Sequence, residues 1–308
     1  MFGGSGWRYA VRVKSSFLPL PLPPYLPSSL SFPPANRRPP VPLSSQKQSA
    51  TAWYDSPLYY DMVYADYTKK ETRFIEGIMK KHGPRLEGPM RVLEPACGSG
   101  RLLESLAARG HVVHGFDLNE HQIAFAKARL KAKGLKGRVW RDRLQDFTVP
   151  KGARYDVAHC FVSTFKYITT EAGAARSLRR MAAALRPGGL LLLGLHLTDY
   201  RRSPPDHERW IGRKPGVRVV SDTWSAPADR KTRTEAMRTR MRITEGGQTR
   251  VEETHWDFRT YSPTELRALL RKVPCLRLVA CHDFHYDLGS TRRLDLAYSD
   301  VLLVMRRA

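Results

Sequence analysis

Arg91-Val92-Leu93-Glu94-Pro95-Ala96-Cys97-Gly98-Ser99-Gly100-Arg101-Leu102-Leu103, followed after a helical pattern by Val112-Val113-His114-Gly115-Phe116-Asp117, decides how this chain is read. A short apolar run meets a turn of small residues, the turn opens a helix, and a second apolar run ends on an acid. That order is a βαβ unit with a ligand site at its mouth. Gly98 and Gly100 let the backbone bend tightly and admit a ligand where a Cβ would stand in the way. The helix from Arg101 to Arg109 begins at the turn, so its free N–H groups face the ligand. Asp117 lies 17 residues beyond Gly100 at the carboxyl end of the second strand, where an acid accepts both hydroxyls of a ribose.

The ligand is therefore read as a nucleoside. A dinucleotide fingerprint needs a third glycine where this chain has Leu103, so a pyrophosphate is poorly served. Glu94 adds a carboxylate at the end of the first strand, which suits a cationic ligand. S-adenosylmethionine carries a sulfonium, an ammonium and a ribose. Glu94-Pro95-Ala96-Cys97-Gly98-Ser99-Gly100 with Gly115-Phe116-Asp117 resembles the cofactor-binding core of class I S-adenosylmethionine-dependent methyltransferases. The resemblance implies cofactor contacts at Glu94, Ala96, Gly98, Gly100, Asp117 and Leu118. It implies a seven-stranded Rossmann-like α/β sandwich over residues 51–308. The competing reading is a Rossmann-like unit that binds another nucleotide or none.

Composition bounds the rest. The 308 residues are 42% hydrophobic, enough for a sizeable core, and the formal charge is +23. Six of those charges (Arg8, Arg12, Lys14, Arg37, Arg38 and Lys47) precede the first acid, Asp55, which leaves +17 on the remainder. The excess is spread along the chain, as on a solvated surface, and its sharper reading is an acidic or nucleic-acid partner. Cys97, Cys160, Cys275 and Cys281 show no metal or disulfide spacing, which fits a reducing, cytoplasmic setting. The apolar run Gly188 to Leu197 is too short to span a bilayer, so no membrane association is expected. Residues 1–50 are basic and proline-rich, with Leu18-Pro19-Leu20-Pro21-Leu22-Pro23-Pro24 at their centre. Proline excludes helix there, and a solvated, disordered tail is expected.

From Trp53 to Tyr67 the chain is crowded with tyrosines, and a helix is predicted from Lys69 to Lys81 with Phe74, Ile75, Ile78 and Met79 on one face. Tyr60-Asp61-Met62-Val63-Tyr64 with Asp66-Tyr67 is similar to the leading segment of small-molecule N-methyltransferases, including those that dimethylate amino sugars. In that resemblance Tyr60 closes over the methyl donor. A helix from Glu120 to Lys133 and a strand from Arg138 to Arg141 follow. In the family an acid and an apolar residue stand three positions before an Asp-Phe pair and hold the adenine. Counting back from Asp146-Phe147 places Arg143 and Leu144 there, with Asp142 one position early, so this chain departs from the pattern.

The strand Tyr155 to Phe161 leads into Cys160-Phe161-Val162-Ser163-Thr164-Phe165-Lys166-Tyr167, a window that belongs beside the transferred methyl because ligands gather at strand carboxyl ends. The window resembles the amino-sugar methylases and implies a cofactor contact at Cys160. Tyr167 stands where those enzymes tend to carry a histidine. It is the first candidate to orient an acceptor, and His196, after the helix Thr170 to Leu185 and the Pro187-Gly188-Gly189 turn, is a candidate base. The window lacks the Asn/Asp-Pro-Pro-aromatic signature of methylases acting on nucleic-acid bases. Residues 200–261 read as an antiparallel flap over the acceptor side or a dimerising element, with one strand near Arg218 to Val220 and a hairpin turning at Gly246-Gly247. Ser262-Pro263-Thr264-Glu265 caps a helix, and strands near Leu276 to His282 and Tyr298 to Met305 close the sheet. The leading expectation is methyl transfer from S-adenosylmethionine to a small-molecule acceptor, to nitrogen before oxygen. The alternatives are a methyltransferase acting on RNA or DNA, and a non-catalytic nucleotide-binding module.

Overall fold

The computed structural model describes residues 13–14 and 54–308. The expectation for residues 1–50 lies outside these, apart from β1 (Val13–Lys14), whose backbone pairs with a later strand. The elements then run α1 (Pro57–Tyr64), α2 (Thr68–His82), β2 (Arg91–Pro95), α3 (Arg101–Ala107), β3 (Val112–Asp117), α4 (Glu120–Ala132), β4 (Gly137–Arg141), β5 (Tyr155–Cys160), α5 (Glu171–Ala184) and β6 (Leu185–His196). They continue with β7 (Asp206–Lys214), β8 (Val217–Ser225), β9 (Thr234–Glu245), β10 (Gln248–Arg259), α6 (Pro263–Arg271), β11 (Leu276–His282) and β12 (Asp300–Arg307).

Seven strands form one sheet in the order β11-β12-β6-β5-β2-β3-β4. The five from β6 to β4 are parallel, and β12 joins antiparallel between β6 and β11. This is the seven-stranded α/β sandwich that the sequence predicts. Side chains on successive strand residues leave opposite faces of a sheet, so Val92, Val157, Leu190 and Leu192 pack in one layer with α2, α3 and α4. Leu93, Ala158, Leu191 and Leu193 pack in the other with α5 and α6. The chain order reverses between β2 and β5: β3 and β4 extend the sheet on one side of β2, β5 and β6 on the other. Ligands of open α/β sheets lie at the strand carboxyl ends beside such a reversal.

Residues 200–261 form a second, antiparallel sheet, ordered β1-β7-β8-β9-β10. The hairpin of β9 and β10 is in the expected place. Gly246 and Gly247 both have positive φ, 58° and 80°, as a two-residue hairpin turn requires. The sequence reading finds β8 only in part and does not find β7. The inner face of this sheet (Trp210, Val219, Met241, Ile243, Trp256 and Phe258) packs against Met62 and Val63 of α1. At the point of closest approach β7 has Gly212, where a Cβ would meet the Met62 carbonyl oxygen at 2.5 Å. The tyrosine-rich segment thus becomes a short helix wedged between the two sheets.

Candidate active site

The glycine turn is built as its sequence implies. Gly98 and Gly100 have φ of 50° and 72°, and Ala96 also adopts positive φ, 53°. The two glycines serve different ends. A Cβ at Gly100 would lie 2.7 Å from the Ala126 Cβ on α4, so this glycine permits helix packing. A Cβ at Gly98 would meet only Gln122 Oε1, at 3.7 Å, so the space beside it is open. Val162, across the cavity, likewise has φ of 53°. Left-handed backbone at a non-glycine residue is costly and gathers at functional sites.

Asp117 ends β3 and accepts the Gly98 N–H at 2.8 Å through Oδ2 and the Asn119 N–H at 2.9 Å through Oδ1. Burial raises its pKa, and those two backbone donors work in the opposite direction. Each oxygen retains a second lone pair, which is the capacity two ribose hydroxyls need. The turn is held from above by α1. Asp61 accepts Ser99 Oγ–H at 2.7 Å and pairs with Arg129 of α4, Nη2 to Oδ2 at 2.5 Å. Gln122 Nε2 donates to the Tyr54 carbonyl at 2.6 Å, and Asn119 Nδ2 to Asp55 Oδ1 at 2.7 Å. The segment before α1 therefore lies over the ribose end of the site.

A cavity lined by Tyr60, Glu94, Ala96, Gly98, Arg101, His159, Phe161, Val162 and Thr164 opens at the carboxyl ends of β2 and β5. Of the expected cofactor residues, Tyr60, Glu94, Ala96 and Gly98 line it directly. Gly100 caps α3, Asp117 braces Gly98, and Leu118 follows as an exposed residue. Arg143 and Leu144 lie on the loop after β4, Arg143 exposed and Leu144 packed against the core. Asp142, one position early, uses its carboxylate to accept the Arg143 and Thr148 N–H groups and so shapes that loop. The Cys160 side chain belongs to the opposite layer, where burial pushes its pKa up to about 12. Any contact it makes with a cofactor has to come from its backbone.

Tyr167 sits on the short helix after β5, among Trp256 and Phe258 of the second sheet, and its hydroxyl is 2.5 Å from that of Tyr54. Burial raises the pKa of both phenols well above the ordinary value. His196 ends β6. Its Nδ1 is 3.0 Å from Ser163 Oγ and its Nε2 is 3.3 Å from Asp300 Oδ1. Ser163 Oγ also accepts the His196 backbone N–H at 3.0 Å. Its own hydrogen is therefore directed at Nδ1, which leaves Nε2–H facing Asp300. Sequence reasoning does not find three parts of this site: Tyr54 as partner of Tyr167, the Ser163–His196–Asp300 chain, and His159. Only His159 left a trace, as a polar residue inside an otherwise apolar buried strand.

The groups present fit S-adenosylmethionine. The open side of Gly98 admits a ribose beside Asp117, and the buried Glu94 Oε2 has no hydrogen-bond partner in the cavity. Comparison with known proteins agrees. Residues 92–189 match the methyltransferase domain family, and the chain carries a methyltransferase domain on the class I fold. An S-adenosylmethionine-dependent methyltransferase from Clostridium acetobutylicum superposes with a TM-score of 0.65 at 16% identity, over 82% of this chain and 97% of that one. A putative methyltransferase of Geobacillus sp. is 29% identical over 49% of this chain and 58% of its own length. A dTDP-3-amino-3,6-dideoxy-α-D-glucopyranose N,N-dimethyltransferase of Streptomyces fradiae is 26% identical over 44% of this chain and 50% of its own. The chain thus spans about half the length of the curated relatives it matches. Among the described residues no helix is long and apolar enough to cross a membrane.

Proposed function

We propose that the protein transfers the methyl group of S-adenosylmethionine to a nitrogen of a small-molecule acceptor. The observation that carries nitrogen over oxygen is the state of the two candidate bases. Tyr167 is held as a neutral phenol by burial and hydrogen-bonded to Tyr54, and both ring nitrogens of His196 face partners, Ser163 and Asp300. Neither is poised to take a proton from a hydroxyl. A neutral amine needs no such base, because its lone pair attacks directly and its proton leaves to water afterwards. The cofactor supplies an activated methyl on its sulfonium. The chain aligns donor and acceptor: Asp117 and the glycine turn fix the nucleoside, and Tyr54 and Tyr167 orient the acceptor by their hydroxyls. The name of the Streptomyces fradiae relative supports an amino sugar as the acceptor class.

The test is a matched acceptor panel with radiolabelled S-adenosylmethionine: nucleotide-linked amino sugars, the same sugars with hydroxyl in place of amine, and mixed oligonucleotides. Label in the amino sugars alone supports the reading. Label in the hydroxy sugars or oligonucleotides, with none in the amines, overturns it.

A further inference from the structure

Glu94 and His159 occupy equivalent places on the two strands that flank the reversal of the sheet. The β2–β5 register pairs Val92 with Val157 and Leu93 with Ala158, and Glu94 and His159 are the next residue along each strand. They therefore leave the same face, and both line the cavity. Both are buried, at 7% and 0% exposure. Glu94 Oε2 and both ring nitrogens of His159 lack a hydrogen-bond partner. Three unpaired polar atoms in one recess are costly unless a ligand completes them. The strand order says which part of the ligand that is. With the ribose on Asp117 of β3, a nucleoside that crosses β2 reaches β5 with its 5′ substituent.

Resting on the S-adenosylmethionine reading, we propose that Glu94 and His159 together receive the amino-acid end of the cofactor, and that this docking expels one proton from Glu94. In the free protein burial pushes Glu94 up to about 8, so at neutral pH it is mainly the neutral acid. Arg101 on α3 opposes this, but its guanidinium is bound to Glu71 of α2, whose own charge adds to that of Asp117 on β3. The Leu103 N–H also favours the charged form. From the remaining sides the recess is faced by Tyr60, its phenol pushed up to about 12, and by the Cys97 and Cys160 thiols, raised by burial. All three are neutral. Burial pushes His159 down to about 3, so it stays neutral and offers a hydrogen bond without competing charge. The ligand's ammonium supplies the counter-charge that Glu94 lacks. The carboxylic O–H then ionises, its proton passes to water, and the carboxylate pairs with the ammonium.

Calorimetry of S-adenosylmethionine binding at pH 7 in phosphate and in Tris, whose ionisation heats differ, counts the protons. The wild-type protein should release about nine-tenths of one, as a group titrating near 8 dictates. Glu94→Gln should release almost none, and so should wild-type protein binding 5′-methylthioadenosine, which lacks the amino-acid end. Wild-type affinity should rise roughly tenfold from pH 6 to pH 7, a readout that holds even if Glu94→Gln fails to fold. His159→Leu should weaken S-adenosylmethionine at least fivefold more than 5′-methylthioadenosine. Tight binding with equal heats in both buffers and no pH slope overturns the proposal and leaves the cofactor reading intact. Equal proton release by Glu94→Gln overturns it as well. No binding by the wild-type protein removes the cofactor reading itself.

Discussion

The phenolic oxygens of Tyr54 and Tyr167 lie 2.5 Å apart, although 113 residues separate them in the chain. One precedes α1 and the other follows β5, so this contact joins the cover of the site to its floor. It sits within an aromatic group in which Tyr167 also meets Trp256 and Phe258 of the second sheet. Tyr167→Phe removes the hydroxyl and keeps the ring packing. Turnover should fall roughly tenfold, equivalent to ~1.4 kcal/mol, while S-adenosylmethionine affinity stays within about threefold, ~0.65 kcal/mol. Single-turnover rates beside calorimetry decide this, and unchanged rates would remove Tyr167 from the mechanism.

Asp117 has two duties, bracing Gly98 and Asn119 and accepting the ribose. Asp117→Ala should weaken S-adenosylmethionine by ~1–3 kcal/mol from unpaired hydroxyls. The backbone donors it leaves unpaired should lower the melting temperature as well. Equal affinity in the variant would rule out a ribose at this acid.

Arg129 and Asp61 are both largely buried and anchor α1 to the glycine turn. Arg129→Met leaves a carboxylate stranded, with an expected cost of ~3–5 kcal/mol in urea unfolding. Adding Asp61→Asn should recover part of that loss, and strict additivity of the two would show that the pair is not coupled.

Gly212 is the point where β7 touches the backbone of α1, leaving no room for a Cβ beside Met62. Gly212→Val should cost ~1–3 kcal/mol by overpacking and make residues 200–261 more sensitive to limited proteolysis. Digestion at the wild-type rate would show that the second sheet does not depend on this contact.

Stability should also follow Glu94 with pH. Its folded pKa, about 8, lies above the ordinary 4.5, so the folded state holds the proton more tightly. That stabilisation is complete below 4.5, declines as pH rises and is lost above 8, at up to ~1.4 kcal/mol per unit. Glu94→Gln should flatten this part of the stability curve in the ligand-free protein. An unchanged slope would place the titrating group elsewhere.

The sequence made β2, α3 and β3 legible because turn chemistry, helix start and terminal acid all agree there. The β9–β10 hairpin was legible because Gly246-Gly247 permits few other conformations. β7 was not, since Asp206 to Lys214 is charged on both alternating faces and owes its place to Trp210 and Gly212 against α1. α1 hid among tyrosines whose partners come from distant strands. The cofactor side was therefore read from local pattern, and the acceptor side was not. Ser163, His196 and Asp300 meet only after the sheet has formed, and no spacing in the chain announces them.

The position of β12 has a consequence for synthesis. It lies between β6 and β11, and Asp300 pairs with His196 in a register that spans more than a hundred residues of chain. Until residues 300–307 leave the ribosome, the run Leu190-Leu191-Leu192-Leu193 has no neighbour on one side. An apolar strand with an open edge invites pairing with another chain. Nascent chains stalled before residue 300 should therefore engage chaperones or aggregate, although the whole nucleoside-binding half has already emerged.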